Sequence, residues 1–351
     1  MTFTQAILLV LLTGAVVVAA GTRLARSADV IAARTHLGGA WVGSVLLAGA
    51  TSLPELTTDI AAVRMGAVDL AAGDLFGSSM ANMLILALVT LLPSGAELFR
   101  RATLDHVLYA ALAIILTVIA GICVLVRPTS SFLSIGIGPL LLVITYMVGS
   151  RAVFKHSVLA ERTVETAEMS SGATPADNAT AATEPTPLPS VRAAGLTFLA
   201  SAVVILIAAP FFARSAEAIA AITGVGSTFI GTWLVGFSTS LPELVTSFAA
   251  VRMRAYDLAV GNLFGSNAFN MTVWIVLDAV HGPGTIFGVV SPAHLVSALV
   301  AVGLMGIAIA ALAYRAQGRF TLLEPSSALI VVGYVAGLGL LLMQSAGRVG
   351  Q

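Results

Sequence analysis

Two glutamates stand in apolar surroundings that are expensive for an acid. Glu55 and Glu243 each follow a proline within the same string, Thr-Ser-Leu-Pro-Glu-Leu, at 51–56 and again at 239–244. A proline inside a helix has no N–H to give and crowds the carbonyl four residues back. Pro54 and Pro242 are therefore expected to free carbonyls near Ala50–Thr51 and Ser238–Thr239. In hydrocarbon such groups persist only where protein covers them or where they line a wet cavity. A carboxylate at that depth costs ~3 kcal/mol or more and marks a functional position. Carbonyl and carboxylate oxygens together are the donors that a hard cation takes.

Each glutamate is followed by a second segment rich in neutral oxygens. GDLFGSSMAN (73–82) and GNLFGSNAFN (261–270) set Ser78 with Asn82, and Ser266 with Asn270, four residues apart on one helix face. Gly73 and Gly77, like Gly261 and Gly265, form a small-xxx-small pattern that lets helix backbones approach closely. Taken singly, such glycines and serines are packing residues. Duplicated with the proline and glutamate at identical spacing, they outline a cation site of about ten oxygens, two of them formally negative.

The duplication extends beyond the motif. Shifting the chain by 188 positions aligns residues 25–83 with 213–271 without a gap, and 34 of the 59 pairs are identical. Between the copies lies a polar stretch, 155–192, whose Ala, Thr, Pro, Ser and Glu content predicts a flexible linker. Once it is set aside, the offset leaves room for five membrane spans per copy. An odd number of spans turns the second copy upside down, the arrangement of many secondary transporters.

The elements that must hold these residues follow from composition. Of 351 residues, 58% are hydrophobic and 10% charged, with a mean hydropathy of +1.00, against roughly 25% charged in a soluble domain. Runs of ~20 apolar residues, each long enough to cross a bilayer, recur at about 4–24, 38–62, 69–92, 104–126, 131–154, 193–221, 226–251, 257–280, 290–314 and 321–343. The sequence thus predicts an all-α integral membrane protein. Its ten transmembrane helices form two inverted five-helix repeats, 1–154 and 193–351, with motif segments 48–83 and 236–271. The first and sixth spans are long enough to tilt.

No positive charge precedes the first apolar run, and Arg23 and Arg26 follow it, which is the reverse of a signal peptide. Arg34, Arg100, Arg101, Arg151, Lys155, Arg162, Arg192, Arg252, Arg254, Arg315 and Arg319 all fall on the side of the linker. The positive-inside rule then places the linker in the cytoplasm and the N-terminus outside. Sixteen arginines against one lysine fit a bacterial plasma (inner) membrane. A formal net charge of zero gives no reason to expect a nucleic-acid partner. Cys123, the single cysteine, reads as packing. The five histidines, at 36, 106, 156, 281 and 294, fall in or beside loops with no ligand spacing.

On these residues the chain resembles the calcium/cation antiporter superfamily, which includes the sodium/calcium exchangers. The two repeats of that family read close to G-T-S-L-P-E-L and G-N-x-x-G-S-N-x-x-N. The resemblance implies an alternating-access antiporter that exchanges Ca2+ for Na+, with both ions as cargo, no cofactor and no obligate protein partner besides the lipid bilayer. It implies that Glu55 and Glu243 are shared Ca2+ and Na+ ligands and that Asn82 and Asn270 complete the central set. It also implies sodium sites flanked by backbone oxygens of Ala48, Thr51, Gly236 and Thr239 with hydroxyls of Ser78 and Ser266. Sliding of the first and sixth helices would switch access. Two carboxylates balance one Ca2+ or two Na+, so mutually exclusive occupancy suffices for exchange.

The chain also departs from the pattern. Asp59 stands where the second copy has Ser247, Asp74 where it has Asn262, and Ser79 where it has Asn267. Asp59 lies one turn after Glu55, so a proton on Asp59 or Asp74 would move the driving ion from Na+ towards H+. The alternative is that Asp59 pairs with Arg64 near the wet end of its helix. A passive channel and an intramembrane aspartyl protease are the other classes weighed. Broken helices in inverted repeats favour alternating access over a fixed pore, and no catalytic motif supports an enzyme.

Overall fold

The computed structural model describes residues 2–35, 37–101, 103–170, 189–223, 239–314 and 324–349. Its long helices are α1 (Phe3–Thr35), α2 (Gly39–Thr51), α3 (Leu53–Arg64), α4 (Val68–Val89), α5 (Leu104–Val126), α6 (Ile137–Ser170), α7 (Val191–Thr223), α8 (Leu241–Arg252), α9 (Tyr256–His281), α10 (His294–Tyr314) and α11 (Pro325–Val349). Eight of them are long and apolar enough to cross a membrane. Of the ten expected spans, those at 38–62 and 226–251 are not among these eight helices of the described residues.

The span expected at 38–62 is two helices. α2 carries a π-helical stretch, Val42–Leu47, and ends at Thr51. Ser52, at φ −83° and ψ −3°, turns the chain into α3. Pro54, in the first turn of α3, cannot donate to the carbonyl of Ala50, so the ladder stops there. In the second copy α8 likewise begins beside Ser240 with Pro242 in its first turn. The remainder of the span expected at 226–251 lies outside the described residues. Elsewhere, residues 131–136 form a small hairpin, Ser131 pairing Gly136, and the fifth crossing starts only at Ile137. α6 then continues to Ser170, into the segment expected to be linker. Its Leu, Ala, Glu, Arg and Met residues favour helix.

α1 and α7 have 33 residues each, or ~50 Å at 1.5 Å per residue. That exceeds the ~30 Å hydrocarbon core, so each is long enough to cross with a tilt. They pack along each other and run antiparallel. Gly14 faces Phe212, whereas the stretch from Val16 to Arg23 shares a groove with Leu196–Val204. The inner layer is formed by α4 and α9, the most buried of the long spans. They contact each other, α3 packs on both, and α8 packs on both.

α2 lies against α9 across glycine. A Cβ on Gly261 would sit 2.8 Å from the Ala40 carbonyl, and one on Gly265 would run into the Cα and carbonyl of Ser44. The small-xxx-small pattern of the second copy is therefore a backbone contact. It fixes the height of the break at Ser52 relative to α9.

Candidate functional site

Each glutamate sits in the first turn of a helix that starts inside the protein, Glu55 in α3 and Glu243 in α8. Unsatisfied N–H groups and the helix dipole make such a terminus favourable for negative charge. Glu55 is 1% and Glu243 0% exposed. The ion pairs formed among the described residues involve neither.

The carboxylates are held across the repeats. Ser240, beside Glu243 in sequence, donates to Glu55 Oε1 at 2.9 Å. Ser52, beside Glu55, donates to Glu243 Oε1 at 3.4 Å. Neither serine was among the residues expected from sequence, although both stand in the repeated string immediately before Leu-Pro-Glu. Asn270 donates through Nδ2 to Glu55 Oε2 at 3.1 Å and to Ser78 Oγ at 2.9 Å. Asn82 donates through Nδ2 to Asn267 Oδ1 at 2.8 Å. Glu243 Oε2, Asn82 Oδ1, Asn270 Oδ1 and Asp74 Oδ2 are buried without a donor among the described residues. An unpaired buried acceptor costs ~1–3 kcal/mol, and more when charged.

Thr51, Thr239 and Ser266 lie in the same buried network. Thr51 Oγ1 donates to Asn262 Oδ1 at 3.2 Å and lies 3.5 Å from Ser266 Oγ. Thr239 Oγ1 donates to Asp74 Oδ1 at 3.2 Å. The carbonyl of Ala48 accepts from Ser52 N–H at 3.0 Å and from Thr51 Oγ1 at 3.2 Å. Gly236 lies outside the described residues. No three His, Cys, Asp or Glu side chains converge as a metal ligand set among the described residues. The oxygens that gather are two carboxylates with amides and hydroxyls, a hard-cation donor set.

The two copies differ beside this centre. In the second, Asn262 Nδ2 donates to Thr246 Oγ1 at 3.0 Å and to Ser247 Oγ at 3.1 Å, a closed neutral network. At the matching positions of the first, Asp74 and Asp59 lie within hydrogen-bonding reach of each other. Both oxygens of Asp59 are buried without a donor. Asp59 is 1% exposed and forms no ion pair with Arg64, so its place is inward, beside the site.

Sequence reasoning also missed two ties between the copies. His106 Nε2 meets Asp257 Oδ1 at 2.7 Å, and His294 Nε2 meets Asp69 Oδ1 at 3.3 Å. Both pairs obey the 188-residue offset, since 106 matches 294 and 69 matches 257. That relation lies outside the gapless block at 25–83, which is why the histidines read as isolated.

Comparison with known proteins adds an independent line. A family described as sodium/calcium exchanger protein matches residues 5–154 and 193–343. The chain is 28% identical over 252 residues to the inner membrane protein YrbG of Escherichia coli, covering 70% of each. It is 37% identical over 87 residues to the sodium/calcium exchanger MaX1 of Methanosarcina acetivorans, covering 25% of each. In fold it is similar to the sodium-calcium exchanger NCX_Mj soaked with zero Na+ and Ca2+. The TM-score is 0.69 at 20% identity, over 97% of this chain and 100% of that one.

Proposed function

The chain belongs to the sodium/calcium exchanger protein family, and we propose on that premise that it exchanges Ca2+ for Na+ across a membrane by alternating access at one buried site. The observation that carries this reading is the set of orphaned oxygens between the repeats. Among the described residues, Glu243 Oε2, Asn82 Oδ1 and Asn270 Oδ1 are sealed from solvent with no donor, beside a second carboxylate, Glu55, and no cationic side chain pairs with either glutamate. A dehydrated cation answers both the charge and the missing donors. Glu55 and Glu243 would carry the charge. Asn82, Asn270, Ser78 and Ser266, with the backbone at Ala48, Thr51, Gly236 and Thr239, would supply neutral oxygens. Ca2+ and Na+ compete for these oxygens, so occupancy by one excludes the other. The cargo crosses without a covalent step.

The same reading puts the protein in the bacterial inner membrane with its N-terminus outside and the linker inside, as the arginine distribution favours. The kinship with an inner membrane protein supports the location. A second reading, exchange of Ca2+ or another cation for H+, is favoured by the Asp59–Asp74 contact. Two carboxylates at that separation have no hydrogen between them when ionised. One proton would rebuild the bond that Asn262 makes to Ser247 in the other copy.

Purified protein in liposomes distinguishes these readings. Uptake of radioactive Ca2+ driven by an outward Na+ gradient, and lost in Glu55→Gln and Glu243→Gln, is the expected result. Uptake under an outward H+ gradient alone would replace the first reading by the second. No Ca2+ movement under either gradient would refute Ca2+ as the cargo and mean that the fold carries another cation.

A further inference from the structure

The two glutamates are related by the duplication, yet their surroundings are not equivalent. Glu55 has a donor on each oxygen, Ser240 on Oε1 and Asn270 on Oε2. Among the described residues Glu243 has a long bond from Ser52 on Oε1, with Thr51 also within reach of its carboxylate, and no donor on Oε2. Shifted by 188, the counterpart of Asn270 is Asn82, and the counterpart of its bond to Glu55 Oε2 would run from Asn82 Nδ2 to Glu243 Oε2. That bond is not made. Asn82 Nδ2 is taken by Asn267 Oδ1 instead, at 2.8 Å.

Elementary chemistry fixes the direction of this chain of bonds. The carbonyl of Ser79 can only accept. Asn267 therefore turns its Nδ2 towards it, at 3.3 Å, and presents Oδ1 on its other side. Asn82 must answer with Nδ2, which leaves Asn82 Oδ1 facing away, buried and without a donor. The relay begins at Asn267, and the first copy has no equivalent, because Ser79 occupies that position. Asn82, Asn267 and Asn270 are each 0% exposed, so water does not replace these bonds from the surface.

We propose that Asn267 is the positioning residue that makes the site lopsided. By holding the amide of Asn82 away from Glu243, it leaves Glu243 Oε2 and Asn82 Oδ1 open together as the half of the site where an arriving cation first binds. Asn270 Oδ1, also without a donor, completes that half. Glu55, already clamped by Ser240 and Asn270, closes on the ion afterwards. The inference rests on the proposed cation site and adds to it an order of engagement and the residue that sets it.

Asn267→Ser installs the residue of the first copy and removes the acceptor that captures Asn82. The freed amide then donates to Glu243 Oε2, as Asn270 does to Glu55. The equilibrium affinity for cation should fall about tenfold, the worth of one hydrogen bond to a charged group, while the maximal rate changes less than the half-saturation constant. Binding of Ca2+, and separately of Na+ and Mn2+, is measured by calorimetry on the full chain in detergent for wild type, Asn267→Ser, Asn82→Ala and the double variant. The expected result is non-additivity: Asn267→Ser weakens binding in the wild-type background and has no effect once Asn82 carries no amide. An equal loss in both backgrounds would mean that Asn267 only supports packing and would overturn the proposal. So would an Asn267→Ser variant that binds as wild type does. A folded wild type that binds none of the three cations would instead refute the cation site itself, and this inference with it.

Discussion

Replacing Gly265 by alanine tests whether the backbone contact between α2 and α9 sets the geometry of the site. The added methyl would meet the Cα and carbonyl of Ser44 rather than the tip of a side chain, so rotamer changes cannot absorb it. Ser44 lies in the π-helical stretch that leads through Ala48 and Thr51 to the break at Ser52. Restoring an ordinary contact requires the two backbones to part by roughly 1 Å, an overpacking cost of about 1–3 kcal/mol. The same shift carries Ser52 away from Glu243, whose bond is already 3.4 Å long, and separates Thr51 from Asn262. A displacement of about 1 Å at a reacting centre can lower a rate ~100-fold. We expect Gly265→Ala to keep its helical content, lose thermal stability and reduce Ca2+ uptake in liposomes by about two orders of magnitude. Gly261→Ala, whose methyl would sit 2.8 Å from the Ala40 carbonyl, should show a smaller loss of both. Gly303→Ala, with open space at its Cβ, serves as the control. Uptake by Gly265→Ala within twofold of wild type would refute the claim that this contact positions Ser52 and Thr51.

Further outcomes follow from the same geometry. Saturating Ca2+ at a hundredfold over its dissociation constant should stabilise wild type by ~2.7 kcal/mol, and Glu55→Gln or Glu243→Gln should abolish that gain in a thermal melt. Without cation, Glu243→Gln should melt higher than Glu55→Gln, because it removes a buried charge with one oxygen unbonded, whereas Glu55 has a donor on each oxygen. Asp59→Ser combined with Asp74→Asn recreates the neutral Ser247–Asn262 pair and should fold normally. If H+ drives exchange through these acids, this variant loses H+-driven uptake, and H+-driven uptake that keeps the wild-type pH dependence in it would sink the proton reading. His106→Gln breaks the 2.7 Å tie to Asp257 and should lower stability by about 1–2 kcal/mol. His294→Gln, on a 3.3 Å tie, should cost less.

Much of the site was legible because duplication repeats chemistry at a fixed offset. The string from Thr51 to Glu55 and its copy at Thr239 to Glu243 name the carboxylates and the break in the helix, and the Ser and Asn pairs name the neutral oxygens. The two longest helices were legible from the length of their apolar runs. What stayed hidden was everything that depends on how the inverted copies interlock. Ser52 and Ser240 read as flanking residues because each serves the glutamate of the other repeat. The histidines read as isolated because their partners lie 151 and 225 positions away by number. The π-helical stretch at Val42–Leu47 has no signature in composition. It is visible only where α2 lies against the glycines of α9.

The reciprocal serine bonds bear on how such a protein could arise. Because Ser240 reaches Glu55 and Ser52 reaches Glu243, a single repeat cannot complete either carboxylate environment. Two identical halves packed in this way would complete both at once, whereas halves joined in one chain are free to differ. Asp59 against Ser247, Asp74 against Asn262 and Ser79 against Asn267 are the places where this chain has used that freedom.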